Sequence, residues 1–218
     1  MAKKKKLSAH DIVSAYMDYV LEHDKQPASV YAFAKAQNFE EAEFYDHFGS
    51  FDTIEKQIFT ILFDTSLSTL EKSEDYQHYD ARNKLLSFYF TFFQNMTANR
   101  SYILHALNKH KMSLRGLSIL SGLKSVFSKY IDSLEIEMIQ IEQKQVEEIQ
   151  TRALQESAWV QLLLTLKFWI DDTSASFEKT DIFIEKSVNT SFDVLNVVPL
   201  KSMIDFGKFI FKQKMQTH

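Results

Sequence analysis

Apolar residues recur at helical spacing along most of the chain. Ile12, Val13, Tyr16, Val20 and Leu21 follow Ser8, a residue suited to cap a helix, and predict a first helix. Residues 23–26 form a polar break, and Pro27 suits the first turn of a second helix. That helix carries Val30, Phe33 and Ala34 and should stop near Asn38, which tolerates the left-handed conformation. A short third helix is predicted from about residue 40 to 47. Gly49 and Ser50 end the turn, and a long fourth helix starts with Ile54, Ile58, Ile61 and Leu62 on one side. Residues 71–80 are polar and acidic and read as a loop. Beyond them Leu85, Leu86, Phe88, Tyr89, Phe90, Phe92, Phe93 and Met96 make a helix apolar nearly all round, as a central helix is. Further helices are predicted at about 101–111, 116–143 and 146–170. Residues 171–179 form a polar connection, Thr180 is a candidate cap for a helix to about 196, and Pro199 opens a last one to about 215.

Composition sharpens this helical reading. Four Gly and two Pro in 218 residues leave few breakers, and strands would need turn punctuation that is missing. The absence of Cys excludes disulfides, thiol catalysis and zinc–thiolate sites, and it fits a reducing cytoplasm. The basic run at residues 3–6 is not followed by an apolar stretch, so it does not read as a signal peptide. The longest uncharged stretch, between Lys84 and Arg100, falls short of the roughly 20 residues a spanning helix needs. The expectation is a cytoplasmic protein, at most touching a membrane surface. A net charge of −4 gives no global attraction to nucleic acid.

Three short N-terminal helices with a turn between the second and third suggest a helix-turn-helix. The segment ASVYAFAKAQNFEEAEFYDHFGSFDTIEKQIF, residues 28–59, resembles the DNA-binding region of TetR/AcrR-family regulators. The matching features are Val30, the run Phe33-Ala34-Lys35-Ala36, Phe39, the run Phe44-Tyr45-Asp46-His47-Phe48, Ser50 and Ile54. The resemblance implies an all-α, TetR-like fold. A helix-turn-helix module at 1–52 would precede a larger helical ligand-binding and dimerisation domain at 53–218. The departures from the family pattern concern charge. Where the family has small polar or basic residues opening the recognition helix, this chain has Glu40, Glu41, Ala42 and Glu43, and the Lys usual after the turn Ser is Phe51. Between residues 40 and 55 there are carboxylates at 40, 41, 43, 46, 52 and 55 and no Lys or Arg. Carboxylates facing the groove repel phosphates, although a Glu can accept from cytosine N4. The candidate DNA-contact residues are therefore Lys3, Lys4, Lys5, Lys6, Glu40, Glu41, Glu43, Tyr45 and His47. The competing reading is that Tyr45 packs and the lysines form a solvated tail.

Signatures of catalysis are missing: there is no glycine-rich phosphate loop, nucleophile elbow or His-Glu-x-x-His spacing. His105 and His110 are five apart and do not share a helix face as metal ligands would. No enzyme, metal or cofactor is expected. The TetR resemblance implies an inducer pocket between helices, for which the candidates are Phe88, Phe92, Phe93, Met96, Leu104, Phe127, Trp159 and Leu163. Core packing is the competing reading for these residues. No cationic cluster marks a charged ligand, so an apolar or lipid-like molecule is expected. Leu162, Leu166, Ile184, Val188 and Leu195 are candidates for a homodimer interface. A second, shorter resemblance spans the run Trp169-Ile170-Asp171-Asp172-Thr173-Ser174, then Thr180 and Phe183-Ile184-Glu185-Lys186. These residues look like part of the lipid-binding accessory proteins of ubiquinone biosynthesis, which have a TetR-like fold but act on lipid. The last helix sets Leu200, Met203, Ile204, Gly207, Ile210 and Phe211 against a face with Lys201, Lys208 and Lys212, as a helix lying on a membrane or on its own domain would. Two functions follow: a ligand-responsive TetR-family transcriptional regulator acting on duplex DNA, or a lipid-binding accessory protein that does not bind DNA.

Overall fold

Residues 7–109, 118–136 and 144–197 are described by the computed structural model, and all their regular structure is helical. The chain compacts into two units. Of the described residues, one unit holds those up to Glu74 together with those between Phe90 and Phe127, and the other holds Asp75–Tyr89 and those from Ser128 to Val197.

The first unit opens with α1 (Ala9–His23). Ser8 caps it in a reciprocal pair: Ser8 Oγ accepts from the Asp11 amide, and Asp11 accepts from the Ser8 amide at 2.9 Å. The second helix, α2 (Val30–Ala36), is capped by Ser29, whose hydroxyl oxygen accepts from the Ala32 amide at 3.1 Å. Pro27 therefore precedes the helix and does not occupy its first turn. Asn38 closes α2 at φ +58, the left-handed geometry expected of it. Next come α3 (Glu41–Tyr45) and α4 (Phe51–Glu71), the latter capped by Ser50 Oγ on the Thr53 amide. At 21 residues α4 is about 30 Å long. Compaction groups α4 with α1–α3 in this unit.

Aromatic rings fill the core of these first four helices. Tyr16 stacks on Phe51 at 5.4 Å, and Phe33 meets Tyr16, Phe39, Phe44 and Phe51 edge-on. The unit is completed by α7 (Arg100–Lys109), which packs on α1, by the C-terminal part of α6 (Ala81–Ala98) and by the start of α8 (Ser121–Ser133). Gly122 lets α8 approach α4: a Cβ there would sit 2.7 Å from Thr60 Oγ1.

The second unit begins with Asp75, within α5 (Glu74–His78), a helical turn where the sequence suggested a loop. Its Tyr76 is buried and donates to Tyr130 Oη at 3.0 Å, and Tyr130 donates to the Lys84 carbonyl. The C-terminal helix of the pattern at 116–143 is interrupted. α8 ends at Ser133, and Glu135 adopts φ +49, a left-handed stop made without glycine.

The long α9 (Lys144–Asp171) and α10 (Glu178–Val197) form the main seam of this unit. Leu162, Leu166, Trp169, Ile184 and Val188 are buried in it, each contributing about 1.5–3 kcal/mol of transfer free energy. Asp172 turns the chain between the two helices. Its carboxylate accepts from the amides and hydroxyls of both Ser174 and Thr180, at 2.7–2.9 Å. Burial alone would raise the pKa of this carboxyl. The four donors outweigh burial and hold it far below the ordinary carboxylate range. Thr180 is thus a capped residue of the first turn and not the cap: Asp172, eight positions upstream, satisfies its orphan amide.

Candidate DNA-contact face, ligand cavity and docking face

α3 occupies the recognition position of the helix-turn-helix, and its charge is built into its fold. Glu43 Oε2 accepts from the Glu40 amide at 3.0 Å and so closes the N-terminus of α3. Carboxylates in the first turn also complement the helix dipole. Tyr45 is 54% exposed, and its hydroxyl lies 3.4 Å from Glu41 Oε1. His47 is half-buried and its Nε2 donates to the Leu7 carbonyl at 3.1 Å, which ties the first described residues to the module. Of the expected DNA-contact residues, Glu40, Glu41, Glu43, Tyr45 and His47 are thus gathered on α3 and its C-terminal edge. Lys3 to Lys6 lie outside the described residues. Phe51, where the resemblance has a Lys after the turn Ser, points its ring into the Tyr16–Phe33–Phe44 cluster.

Behind this face a polar pair links two helices. Tyr16 on α1 donates to Glu55 Oε1 on α4 at 2.8 Å, with both side chains buried. Burial, and then the neighbouring Glu55 charge, push the Tyr16 phenol far above its ordinary pKa.

Within the second unit α6, α8, α9 and α10 enclose a cavity of about 260 Å³. Leu85, Ile131, Leu154, Ala158, Phe192 and Leu195 give it an apolar wall, with Gln150, Ser157, Gln161 and Ser191 as its polar groups. None of the eight residues expected to line a pocket borders this cavity. Phe92, Phe93, Met96 and Phe127 are packed in the first unit, and Leu104 is half-buried there. Phe88 packs on Tyr130 at 4.8 Å in the second unit, where Trp159 is buried and Leu163 half-buried. Of the residues that line the cavity, the sequence pattern marks Leu85 as part of the apolar helix after residue 80 and Leu195 as an interface candidate.

The remaining interface candidates, Leu162, Leu166, Ile184 and Val188, are buried in the α9–α10 seam. The apolar residues left exposed on the same helices are Val160 (52%), Leu164 (55%) and Ile182 (50%). They flank a groove floored by Phe168 and Phe183, whose rings stack at 4.6 Å. The hydrophobic pattern predicts the helix that becomes α9 but does not say which of its apolar residues face α10 and which stay exposed.

Among the described residues no group of three or more His, Asp or Glu is placed to hold a metal ion, and His105 pairs with Asp24 at 3.2 Å. No described helix is long and apolar enough to cross a membrane. The expected terminal helix, residues 199–215, lies outside the described residues.

Compared with known proteins, residues 84–210 match the family model described as "Tetracyclin repressor-like, C-terminal domain". No curated protein matches the chain. The match covers more than half of the 218 residues and falls on the all-helical region that follows the helix-turn-helix. The chain belongs to the TetR family.

Proposed function

We propose that this protein is a cytoplasmic, homodimeric transcriptional regulator whose hold on duplex DNA responds to an apolar ligand. The observation that carries the reading is the helix-turn-helix geometry. α2 and α3 are set by the left-handed Asn38 and locked by Phe33, Phe39 and Phe44, ahead of a TetR-family C-terminal region. Such a module places its second helix in the major groove, and two copies on a two-fold axis read a palindromic site. The exposed stripe of Val160, Leu164 and Ile182 on α9 and α10 supports the pairing of two copies. Binding, and not catalysis, is the role the site chemistry supports.

A second reading, a lipid-binding accessory protein without DNA affinity, is favoured by the acidic face of α3. Its carboxylates would meet phosphates with like charge, and Phe51 has withdrawn from that face into the core. A mobility-shift titration at two salt concentrations separates the two readings. DNA from upstream of the protein's own operon is compared with random duplex. The regulator binds the upstream DNA selectively at nanomolar concentration, and Glu40→Ser with Glu41→Lys abolishes the selectivity. An accessory protein binds both DNAs weakly, and the same pair of substitutions raises affinity for either. Each phosphate contact so gained would steepen the log–log salt slope by about 0.9. Glu43 is left in place because it caps α3.

A further inference from the structure

The cavity in the second unit contains one polar group whose partner is missing. Gln150 on α9 lines it, and its side chain is only 7% exposed. Among the described residues, Gln150 Nε2 meets no hydrogen-bond acceptor. The other amide on the wall differs. Gln161 Oε1 accepts from Ser191 Oγ at 3.1 Å, and Gln161 Nε2 donates to Ser187 Oγ at 3.3 Å. Buried donors are nearly always paired, and an unpaired one costs more than a made bond contributes. The position of Gln150 on a cavity wall therefore points to an acceptor brought from outside.

We infer that this cavity binds an uncharged, largely apolar molecule whose oxygen accepts a hydrogen bond from Gln150 Nε2. A ketone, ester or quinone oxygen on an aromatic or aliphatic body has this chemistry. The inference rests on the ligand-responsive reading above and names the ligand class that reading requires. Among the described residues the lining includes no Lys, Arg, His, Asp or Glu, so an ionised ligand would be buried there without a counter-charge. Size follows from the volume. A 150 Å³ apolar cavity accepts benzene, so about 260 Å³ accommodates roughly ten non-hydrogen atoms.

Acetophenone, cumene and benzoate test the inference, since they match in size and differ in the polar group. Each is titrated calorimetrically at neutral pH into the full-length protein without DNA. Acetophenone binds saturably and about fivefold more tightly than cumene, the margin expected for one hydrogen bond. Benzoate does not bind. Gln150→Leu removes the fivefold margin but leaves cumene binding intact, which also shows that the variant is folded. Ala158→Phe, which fills the cavity, abolishes both. Equal affinity of wild-type protein for acetophenone and cumene would overturn the inference, as would tighter binding of benzoate. So would an unchanged acetophenone affinity in Gln150→Leu, or no saturable binding of any probe, which would leave water as the occupant. Because no DNA is present, the calorimetric outcome and the promoter titration can fail separately.

Discussion

Tyr16→Phe deletes one oxygen from the best-defined buried polar contact of the first unit. The Tyr16 hydroxyl donates to Glu55 Oε1 at 2.8 Å, with Tyr16 fully buried and Glu55 nearly so. The phenyl ring that remains keeps its stacking on Phe51 and its edge contacts with Phe33 and Tyr102, so packing changes little. What is lost is a hydrogen bond to a charged acceptor, together with part of the compensation for burying that charge. The expected cost is about 1.5–3 kcal/mol. For a chain of this size that lowers Tm by about 3–12 °C, at about 2–4 °C per kcal/mol. Urea unfolding followed by circular dichroism and by fluorescence measures the change, and the two probes together report whether one transition is monitored. The cycle with Glu55→Met isolates the pair: the Glu55 substitution should cost less when Phe already stands at position 16. The phenol also makes stability depend on pH. Its folded-state pKa lies above its unfolded value, so its contribution is present below about pH 10 and is lost as pH rises further. Tyr16→Phe should therefore soften the alkaline fall in stability. A variant within 0.5 kcal/mol of wild type, with an unchanged alkaline limb, would refute the assignment of Glu55 as a charged acceptor held by Tyr16.

Three further outcomes are expected. Asp172→Ala should lower Tm at neutral pH and flatten the acid limb of the stability curve. The depressed carboxyl contributes above its unfolded pKa of about 4 and is lost as pH falls below that, which a thermal series from pH 7 to 2 would display. Gly122→Ala should destabilise although Ala is the better helix former, because its Cβ would meet Thr60 Oγ1 at 2.7 Å. Adding it to Thr60→Ala should instead gain up to about 1 kcal/mol over Thr60→Ala alone in a denaturant titration. Leu164→Arg, on the exposed stripe of α9, should convert a dimer to a folded monomer in light scattering at micromolar concentration. An unchanged dimer mass would move the interface elsewhere.

Local signals in the chain carried much of the fold. Ser8 and the Ile12–Val13–Tyr16–Val20 spacing led to α1, and Asn38 to the turn after α2. The misreadings have physical causes. α5 has five residues and one buried side chain, too few for periodicity to register, and its stability comes from the Tyr76–Tyr130 contact far along the sequence. α8 stops at a non-glycine left-handed residue, Glu135, where the composition offers no warning. The cap of α10 is an aspartate eight residues upstream, beyond the span over which local capping rules look. At the candidate sites the limit is orientation. α9 carries more apolar residues than one seam uses, and only the packing of α9 on α10 shows that Leu162 and Leu166 are buried in it while Val160 and Leu164 stay exposed. Gln150 gave no pattern at all, since its importance is the absence of an acceptor in three dimensions.

The carboxylates of α3 also act within the fold that carries them. Counted as charges, Glu40, Glu41 and Glu43 are all repulsive toward phosphate. In the folded module two of them have local work: Glu43 closes the helix N-terminus on the Glu40 amide, and Glu41 stands 3.4 Å from the Tyr45 hydroxyl. A helix of five residues has little hydrogen bonding of its own, so these contacts and the Phe44 anchor hold it in place. Phe51 makes the same trade on the next helix, replacing a surface cation with a ring stacked on Tyr16. The module is thus held by contacts of residues that stand where the family pattern has small polar or basic ones. On the regulator reading proposed above, this acidic face should bind random DNA weakly, and a tightly held site should offer base edges that donate to carboxylates, as cytosine N4 does.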